Sequence, residues 1–95
     1  MKTSTLKSKK ELIELLQKRF PDCWFKDGEE FSNGYSTAIW SGEGSSIKGK
    51  PLLDAYTSSK KYTLEVHNDM HNFLEKHGWY AEKYDVGTVM FFPNL

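Results

Sequence analysis

The chain has 95 residues, 38% of them hydrophobic and 27% charged, and its 13 basic and 13 acidic side chains leave no net charge. A chain of this length supports one hydrophobic core, so we expect a single domain over residues 1–95, with a flexible polar segment at residues 1–7. The balanced charge excludes a global attraction to nucleic acid or an anionic membrane. Cys23 is the single cysteine, and the sequence has no secretory signal and no apolar run long enough to span a bilayer. These features predict a soluble protein of a reducing cytoplasm.

A first helix is predicted to begin at Ser8. Ser8 and Glu11 stand three residues apart, as in the capping box, in which a hydroxyl and a carboxylate satisfy backbone donors at a helix start. Apolar residues at helical spacing follow from Leu12 to Phe20, and Pro21 prevents continuation. We expect an amphipathic helix of about three turns here.

Two paired strands are predicted in the middle of the chain. The first covers residues 23–26 and runs into the turn dipeptide Asp27-Gly28. The second covers residues 35–40, where aromatic and β-branched side chains alternate with other residues. Residues 41–50 are rich in Gly, Ser and Lys and predict an exposed loop, which is a candidate functional segment. No regular structure is expected over residues 52–62.

A second helix is predicted from an N-cap at Thr63 to His77. Gly78 follows at the position where a left-handed residue ends a helix, which should fold Trp79 back onto Leu74. The apolar stripe at helical spacing consists of Val66, Met70, Phe73, Leu74 and His77.

A β-hairpin is predicted after this helix. Aromatic and β-branched runs at residues 80–84 and 88–92 are separated by Asp85-Val86-Gly87, a three-residue connection with glycine where a positive φ is favoured, and Pro93 ends the second strand. Together the elements predict an α+β fold, with a small three- to four-stranded, mainly antiparallel sheet and the two helices packed on one face.

Two histidines are candidate metal ligands. His67 and His71 stand four residues apart, so both could reach one metal ion from a single helix face and serve a small metal-dependent hydrolase. Asn68 occupies the place of the general base in H-E-x-x-H, and the pattern supplies no third ligand. We interpret them as boundary histidines and expect no cofactor and no catalytic residues, because nothing in the spacing pairs Cys23 with a histidine either.

Residues 44–50 satisfy the G-x-x-x-x-G-K part of a phosphate-binding loop. Pro51 stands where Ser or Thr should coordinate magnesium, so we interpret the match as coincidental, although its lysines could still contact a phosphate. A nucleic-acid or nucleotide-phosphate binding module is therefore the alternative hypothesis, resting on Lys48, Lys50, Lys60 and Lys61.

The C-terminal part of the chain carries the motif G-W-Y-x-E-x-Y-D-x-G-T-x-M at residues 78–90. With it, the chain is similar to small phage- and prophage-encoded proteins of uncharacterised activity. The resemblance spans residues 39–93 and implies an origin in a mobile element. The other residues that carry it are Trp40, 49–56, Val66, His67, Phe73, Leu74 and Pro93.

The leading functional hypothesis is a non-enzymatic accessory protein that binds another macromolecule, above all a host protein, for example to inhibit a host defence system. It rests on the phage resemblance, on the lack of a complete catalytic set and on the aromatic excess of three Trp, five Tyr and six Phe. The predicted contact residues are Trp40, Lys48, Lys50, Glu82, Tyr84 and Asp85.

Three further expectations concern partners. The aromatics of the last hairpin suit core packing better than a nucleic-acid stacking platform, because Lys83 is offset by Glu82 and Asp85. An aromatic-rich face on so small a domain is compatible with a homodimer. No membrane partner is expected.

Overall fold

The computed structural model describes residues 8–54 and 60–94. Over these residues the protein is an α+β fold with an antiparallel sheet of four strands, as predicted, and two additional short hairpins. The predicted flexible segment at residues 1–7 lies outside the described residues. The elements in chain order are α1 (Lys9–Arg19), β1 (Lys26–Asp27), β2 (Ile39–Gly42), β3 (Ser46–Ile47), β4 (Lys50–Pro51), β5 (Tyr62–Thr63), β6 (Val66–His67), α2 (Asn68–Lys76), β7 (Trp79–Asp85) and β8 (Thr88–Pro93).

Helix α1 begins where the sequence predicts. The Ser8 side chain accepts a hydrogen bond from the Glu11 backbone N–H, and the Glu11 carboxylate accepts one from the Ser8 backbone, so the capping box is complete. Leu12 and Leu16 are fully buried, whereas Glu14 between them is exposed. The amphipathic pattern therefore directs one stripe of the helix into the core.

The main sheet has the strand order β1-β2-β8-β7, with every neighbouring pair antiparallel. Phe91 of β8 pairs with Ile39 and with Ala81, whereas its neighbour Met90 pairs with Trp40 and Glu82. Because successive side chains point to opposite faces, the two sets lie on opposite sides of the sheet. We call the side of Phe91 the inner face and the side of Met90 the outer face.

The hydrophobic core forms on the inner face. Both helices contribute to the cluster that contains the inner-face residues, and Trp79, which follows the positive-φ residue Gly78, is only 2% exposed within it. The predicted helix ending at Gly78 is thus confirmed. The buried cluster consists of Leu12, Leu16, Phe20, Phe25, Ile39, Ile47, Leu52, Val66, Met70, Leu74, Trp79, Val89 and Phe91.

Helix α2 begins at Asn68, so the predicted N-cap at Thr63 is wrong. The N-cap is His67, whose Nδ1 accepts a hydrogen bond from the Asp69 backbone N–H at 3.1 Å. The preceding strands β5 and β6 form a hairpin whose two turn residues, Leu64 and Glu65, have φ values of 52° and 68°. Non-glycine residues seldom adopt this left-handed conformation, and the sequence carries no Gly or Asn to indicate the turn.

The predicted strand at residues 35–40 is also shorter than expected. Asn33–Tyr35 forms a short 3₁₀ helix capped by the Ser32 hydroxyl, and β2 begins only at Ile39. A second 3₁₀ helix at Gly28–Glu30 precedes it, and the Gly28 backbone N–H donates to the Ala38 carbonyl oxygen at 2.8 Å. The two strands pair as predicted, but the first is displaced, because β1 covers Lys26–Asp27 rather than residues 23–26 and pairs with Ile39–Trp40.

Residues 41–50 are not the exposed loop that the sequence predicts. Strands β3 and β4 fold them into a hairpin around Lys48 and Gly49, whose φ values are 53° and 81°, and Ser45 and Ile47 are buried. Burial of Ile47 in the core drives this arrangement. The turn at Lys48 and Gly49 reverses the chain after Ile47 and leaves Lys48 in solvent.

The hairpin of β7 and β8 is confirmed, but its connection differs. Asp85 pairs with Thr88, which leaves a two-residue connection, and the Asp85 carboxylate accepts a hydrogen bond from the Gly87 backbone N–H at 2.9 Å. Gly87 is not among the described residues with positive φ. The Asp side chain, rather than a left-handed glycine, organises the turn.

Among residues 8–54 and 60–94, no helix has the length and apolar character needed to cross a bilayer.

Candidate functional site

The outer face of the sheet carries a continuous set of aromatic rings, which we call the aromatic face. Strands β2, β7 and β8 supply four of them, the two 3₁₀ segments supply two, and one precedes β1. The aromatic face consists of Trp24, Phe31, Tyr35, Trp40, Tyr80, Tyr84 and Phe92.

Each ring of the aromatic face contacts the next. Phe31 is central, because its centroid lies 5.1 Å from that of Trp40 and 5.0 Å from that of Tyr84, with interplanar angles of 60° and 76°. Tyr35 lies 6.0 Å from Tyr84 and 6.2 Å from Phe92. Such inclined pairs are worth about 0.5–1.5 kcal/mol each beyond their buried area. The rings therefore hold one another in place.

Trp24 closes one end of the aromatic face. Its ring meets Trp40 edge to face, with centroids 5.2 Å apart, and its Nε1–H donates to the Glu43 carbonyl oxygen at 2.8 Å. The Lys26 ammonium lies 5.8 Å from the Trp24 ring and 5.6 Å from the Trp40 ring. This cation–π contact engages Lys26 and orients both indoles.

The aromatic face is only partly covered. Tyr80 and Tyr84 are 42% and 52% exposed, whereas Trp40 and Phe92 are half-buried. The expectation that the hairpin aromatics serve the core is correct for Trp79 and Phe91 and wrong for the two tyrosines. Two large rings thus present apolar area to solvent beside a packed cluster.

Exposed carboxylates lie on the chain segments that carry the aromatic face. Glu82 lies on the outer face between the two exposed tyrosines, and Asp85 follows at the end of β7. The chain segments that carry the rings add three more exposed glutamates, at Glu29, Glu30 and Glu43. We call these five carboxylates the acidic rim.

The structure brings together only part of the predicted contact set. Trp40, Glu82 and Tyr84 share the outer face, with Asp85 at its edge, whereas Lys48 and Lys50 lie in the β3–β4 hairpin. The predicted contact set lacks the other five rings of the aromatic face, which are Trp24, Phe31, Tyr35, Tyr80 and Phe92. The first three precede β2, where the structure has two 3₁₀ helices and only a two-residue strand.

A second candidate site lies beside the start of α2, and we call it the lysine pocket. It is a cavity of about 360 Å³ in which four lysines from two parts of the chain meet the first residues of a helix. Its lining residues are Lys48, Lys50, Lys60, Lys61, His67, Asn68 and Asp69.

Backbone hydrogen bonds fix the frame of the lysine pocket. Asn68 donates from its side chain to the Lys60 carbonyl oxygen and from its backbone to the Lys61 carbonyl oxygen, both at 2.8 Å. On the other side, the His67 backbone N–H donates to the Leu52 carbonyl oxygen at 2.9 Å, next to β4. These hydrogen bonds hold the segments that carry the lysines against the start of α2.

His67 lines the lysine pocket and is 6% exposed. Burial, together with the ammoniums of Lys48, Lys61 and Lys50, lowers its pKa against the opposing effect of Asp69. Because Nδ1 accepts a hydrogen bond from the Asp69 backbone, the neutral ring carries its proton on Nε2.

The two candidate metal ligands have separate hydrogen bonds. His67 Nδ1 accepts from the Asp69 backbone, whereas His71 Nε2 donates to the Thr63 carbonyl oxygen at 2.8 Å. Within residues 8–54 and 60–94, no group of three or more His, Cys, Asp or Glu side chains is arranged to hold a metal ion. His77 contacts the last turn of α2, because its Nδ1 donates to the Phe73 carbonyl oxygen at 2.9 Å.

Cys23 is poorly suited to act as a nucleophile. Burial raises the pKa of its thiol to about 11, and the Sγ–H donates to the Ser46 carbonyl oxygen at 3.3 Å. At neutral pH the thiol therefore stays protonated, whereas the thiolate is the reactive form.

Comparison of the chain with protein-family models, with curated proteins and with solved structures gave no match.

Proposed function

We propose that the protein is a non-enzymatic accessory protein that acts by binding another protein through the aromatic face. The observation that carries this proposal is the continuous row of seven rings across the outer face, with Tyr80 and Tyr84 still 42% and 52% exposed. Trp and Tyr are the residues that most often dominate binding energy at protein interfaces. Rings already held by neighbouring rings lose little conformational freedom when a partner covers them.

The charge around the aromatic face favours a basic protein partner. Exposed carboxylates at Glu82 and Asp85 flank the rings, and Lys26 is engaged with the two indoles. A nucleic acid would bring its phosphates against these carboxylates, which is electrostatically unfavourable. A second copy of the chain would bring two acidic rims together in the self-complementary contact of a dimer. A different protein with Arg or Lys around an apolar patch complements the face best.

The resemblance to phage proteins supports a partner in the bacterial host. Residues 78–90, which carry the shared motif, form strand β7, the turn and the start of β8, and they supply Tyr80, Glu82 and Tyr84 of the outer face. We therefore propose a host protein as the partner, with action in the host cytoplasm and inhibition of a defence system as the leading example.

The decisive experiment compares three forms of the protein against a partner purified from the bacterial host and identified by mass spectrometry. Binding by the wild type should be weakened at least about tenfold by the double substitution Y80S/Y84S. Gln17→Ser is the control, because Gln17 is exposed on α1, whose buried residues belong to the inner-face cluster. Equal binding by all three forms would contradict the proposal, as would the absence of any stoichiometric partner.

The charge argument has its own test. Glu82→Lys should weaken binding to the same partner without changing the melting temperature, because Glu82 is exposed on the outer face. Glu75→Lys makes the same charge change at an exposed position of α2 and should leave affinity unchanged. Tighter binding by the Glu82 variant would show that the partner surface is acidic and would refute the proposed complementarity.

A further inference from the structure

The lysine pocket concentrates positive charge in a protein that has none overall. Four of the 13 basic side chains line a single cavity of about 360 Å³, and Asp69 is the one carboxylate in its lining. Asp69 lies 3.5 Å from the Lys48 ammonium, whose side chain is 74% exposed. An exposed pair of this kind adds little stability, so folding alone does not account for the cluster.

The β3–β4 hairpin presents two of the lysines at some conformational cost. Lys48 adopts a φ of 53°, a conformation in which Gly or Asn is usual, and Lys50 follows in the next strand. A lysine at the strained position projects its ammonium toward the cavity that it lines. The other two lysines are Lys60 and Lys61, whose carbonyl oxygens accept hydrogen bonds from Asn68.

His67 gives the lysine pocket a neutral hydrogen-bond donor. The ring is more than nine-tenths buried, it lines the cavity, and its proton lies on Nε2 because Nδ1 accepts from the Asp69 backbone. Helix α2 starts at the next residue, so the positive end of its dipole adds to the field of the lysines. Ammoniums, an imidazole N–H and a helix start together are suited to phosphate oxygens.

We propose that the lysine pocket binds the phosphate groups of a small polyphosphate-bearing molecule, such as a nucleoside di- or triphosphate. Four lysines and one carboxylate line the cavity, and this excess of positive charge suits two or three linked phosphates better than a single phosphate. The cavity is of a size for a small ligand rather than a polymer. This site is independent of the aromatic face, whose acidic rim would oppose a long nucleic-acid strand.

Calorimetric titration with tripolyphosphate and with ATP tests the proposal. Both should bind the wild type at one site, and K48Q/K50Q should weaken binding at least about tenfold, because each lost ammonium removes a charge-assisted contact. K10Q/K18Q removes the same charge from two exposed positions of α1 and should change affinity less than about twofold. Asp69→Asn should tighten binding severalfold, because it removes the opposing carboxylate.

Two measurements distinguish loss of the binding site from loss of the fold. Lys48→Asn places a residue suited to the left-handed conformation at φ 53°, so it should keep or raise the melting temperature while still weakening tripolyphosphate binding. In the NMR spectrum, tripolyphosphate should shift the His67 ring signals and leave those of His77, which is bonded to Phe73 at the other end of α2, unchanged.

Three results would overturn the proposal. The first is equal weakening by K48Q/K50Q and K10Q/K18Q, which would show non-specific charge attraction. The second is no saturable binding of tripolyphosphate or ATP by the wild type. The third is tighter binding per phosphate of a short oligothymidylate than of tripolyphosphate, which would point to a nucleic-acid strand. Y80S/Y84S should retain tripolyphosphate binding, so this test fails or succeeds separately from that of the aromatic face.

Discussion

Strand β8 contributes side chains to both faces of the sheet, and the two faces are packed in different ways. On the inner face, Val89 and Phe91 are completely buried in the cluster to which both helices contribute. On the outer face, Phe92 is half-buried between the rings of Tyr35 and Tyr80. The inner face therefore removes apolar area from water almost completely, whereas the outer face leaves some of it available. We expect substitutions on the first to affect mainly folding and those on the second mainly binding.

The largest effect is expected on the inner face. Phe91→Ala should lower the free energy of unfolding by about 3–5 kcal/mol, because it opens a cavity at a fully buried ring in the central strand. Phe92→Ala, the neighbouring substitution on the outer face, should cost clearly less, because solvent already reaches that ring. Urea denaturation of both variants measures the difference. Equal losses would show that the two faces stabilise the fold alike.

A substitution at Gly28 should disturb the outer face through the backbone. A Cβ at Gly28 would lie 2.4 Å from the Tyr35 carbonyl oxygen and 2.7 Å from that of Ala38, so these backbone segments must move. Gly28→Ala should therefore cost about 1–3 kcal/mol. It should also weaken partner binding, because the displaced segment carries Tyr35. Gly34→Ala is the control, since the nearest neighbour of its Cβ would be the Ser32 hydroxyl at 4.0 Å. An equal loss of stability for both variants in urea denaturation would contradict the steric explanation.

On the outer face itself the expected loss of stability is small. Tyr84→Ser removes ring contacts with Phe31 and Tyr35 from a residue that is 52% exposed, so it should cost about 1 kcal/mol. Val86→Ser in the adjoining turn, at 65% exposure, should stay within about 0.5 kcal/mol of the wild type. Thermal denaturation compares them. A loss at Tyr84 as large as that for Phe91→Ala would mean that the aromatic face is a second core rather than a binding surface.

At neutral pH the smallest effect on folding is expected at Cys23, and this effect depends on pH. Burial raises the pKa of its thiol from 9.0 to about 11, so the folded state favours the protonated form. The resulting stabilisation is complete below pH 9 and is lost as the pH rises toward 11, because the unfolded chain then releases the proton more readily. At pH 8 iodoacetamide should alkylate the folded protein about a hundredfold more slowly than the urea-unfolded protein.

Cys23→Ser is the control for that experiment, because it identifies any label that reaches other side chains. Equal alkylation rates for the folded and unfolded protein would show that the thiol is not protected by the fold.

The elements that the sequence predicts well are those whose causes are local. The Ser8 and Glu11 side chains cap α1 from within the same turn. Gly78 follows the end of α2 and adopts the positive φ that lets the chain leave the helix. The β7–β8 hairpin likewise depends on neighbouring residues. For the same reason Glu82 and Tyr84 could be assigned to an exposed hairpin face from alternation alone.

The elements that the sequence does not predict depend on distant contacts or on unusual backbone conformations. Leu64 and Glu65 adopt positive φ values without any glycine to indicate a turn, which is why Thr63 resembles an N-cap. Phe31 and Tyr35 reach the aromatic face because Gly28 and Ala38 bond across the segment that contains them. The four lysines could be grouped by charge, but their position around His67 follows only from the hairpins that surround it.

The strand order has a consequence for how the chain acquires its structure. Strand β8, which pairs with both β2 and β7, follows both of them along the described residues, and β1 and β2 have only a two-residue ladder with each other before it is added. So short a pair is not stable by itself, whereas the β7–β8 hairpin can close within microseconds. During synthesis the first half of the sheet must therefore wait for the last hairpin. A chain whose synthesis stops before Thr88 lacks β8, which is a central strand of the sheet rather than an edge strand. We therefore expect the sheet to fold only once β8 has been made, and to fold nearly all-or-none.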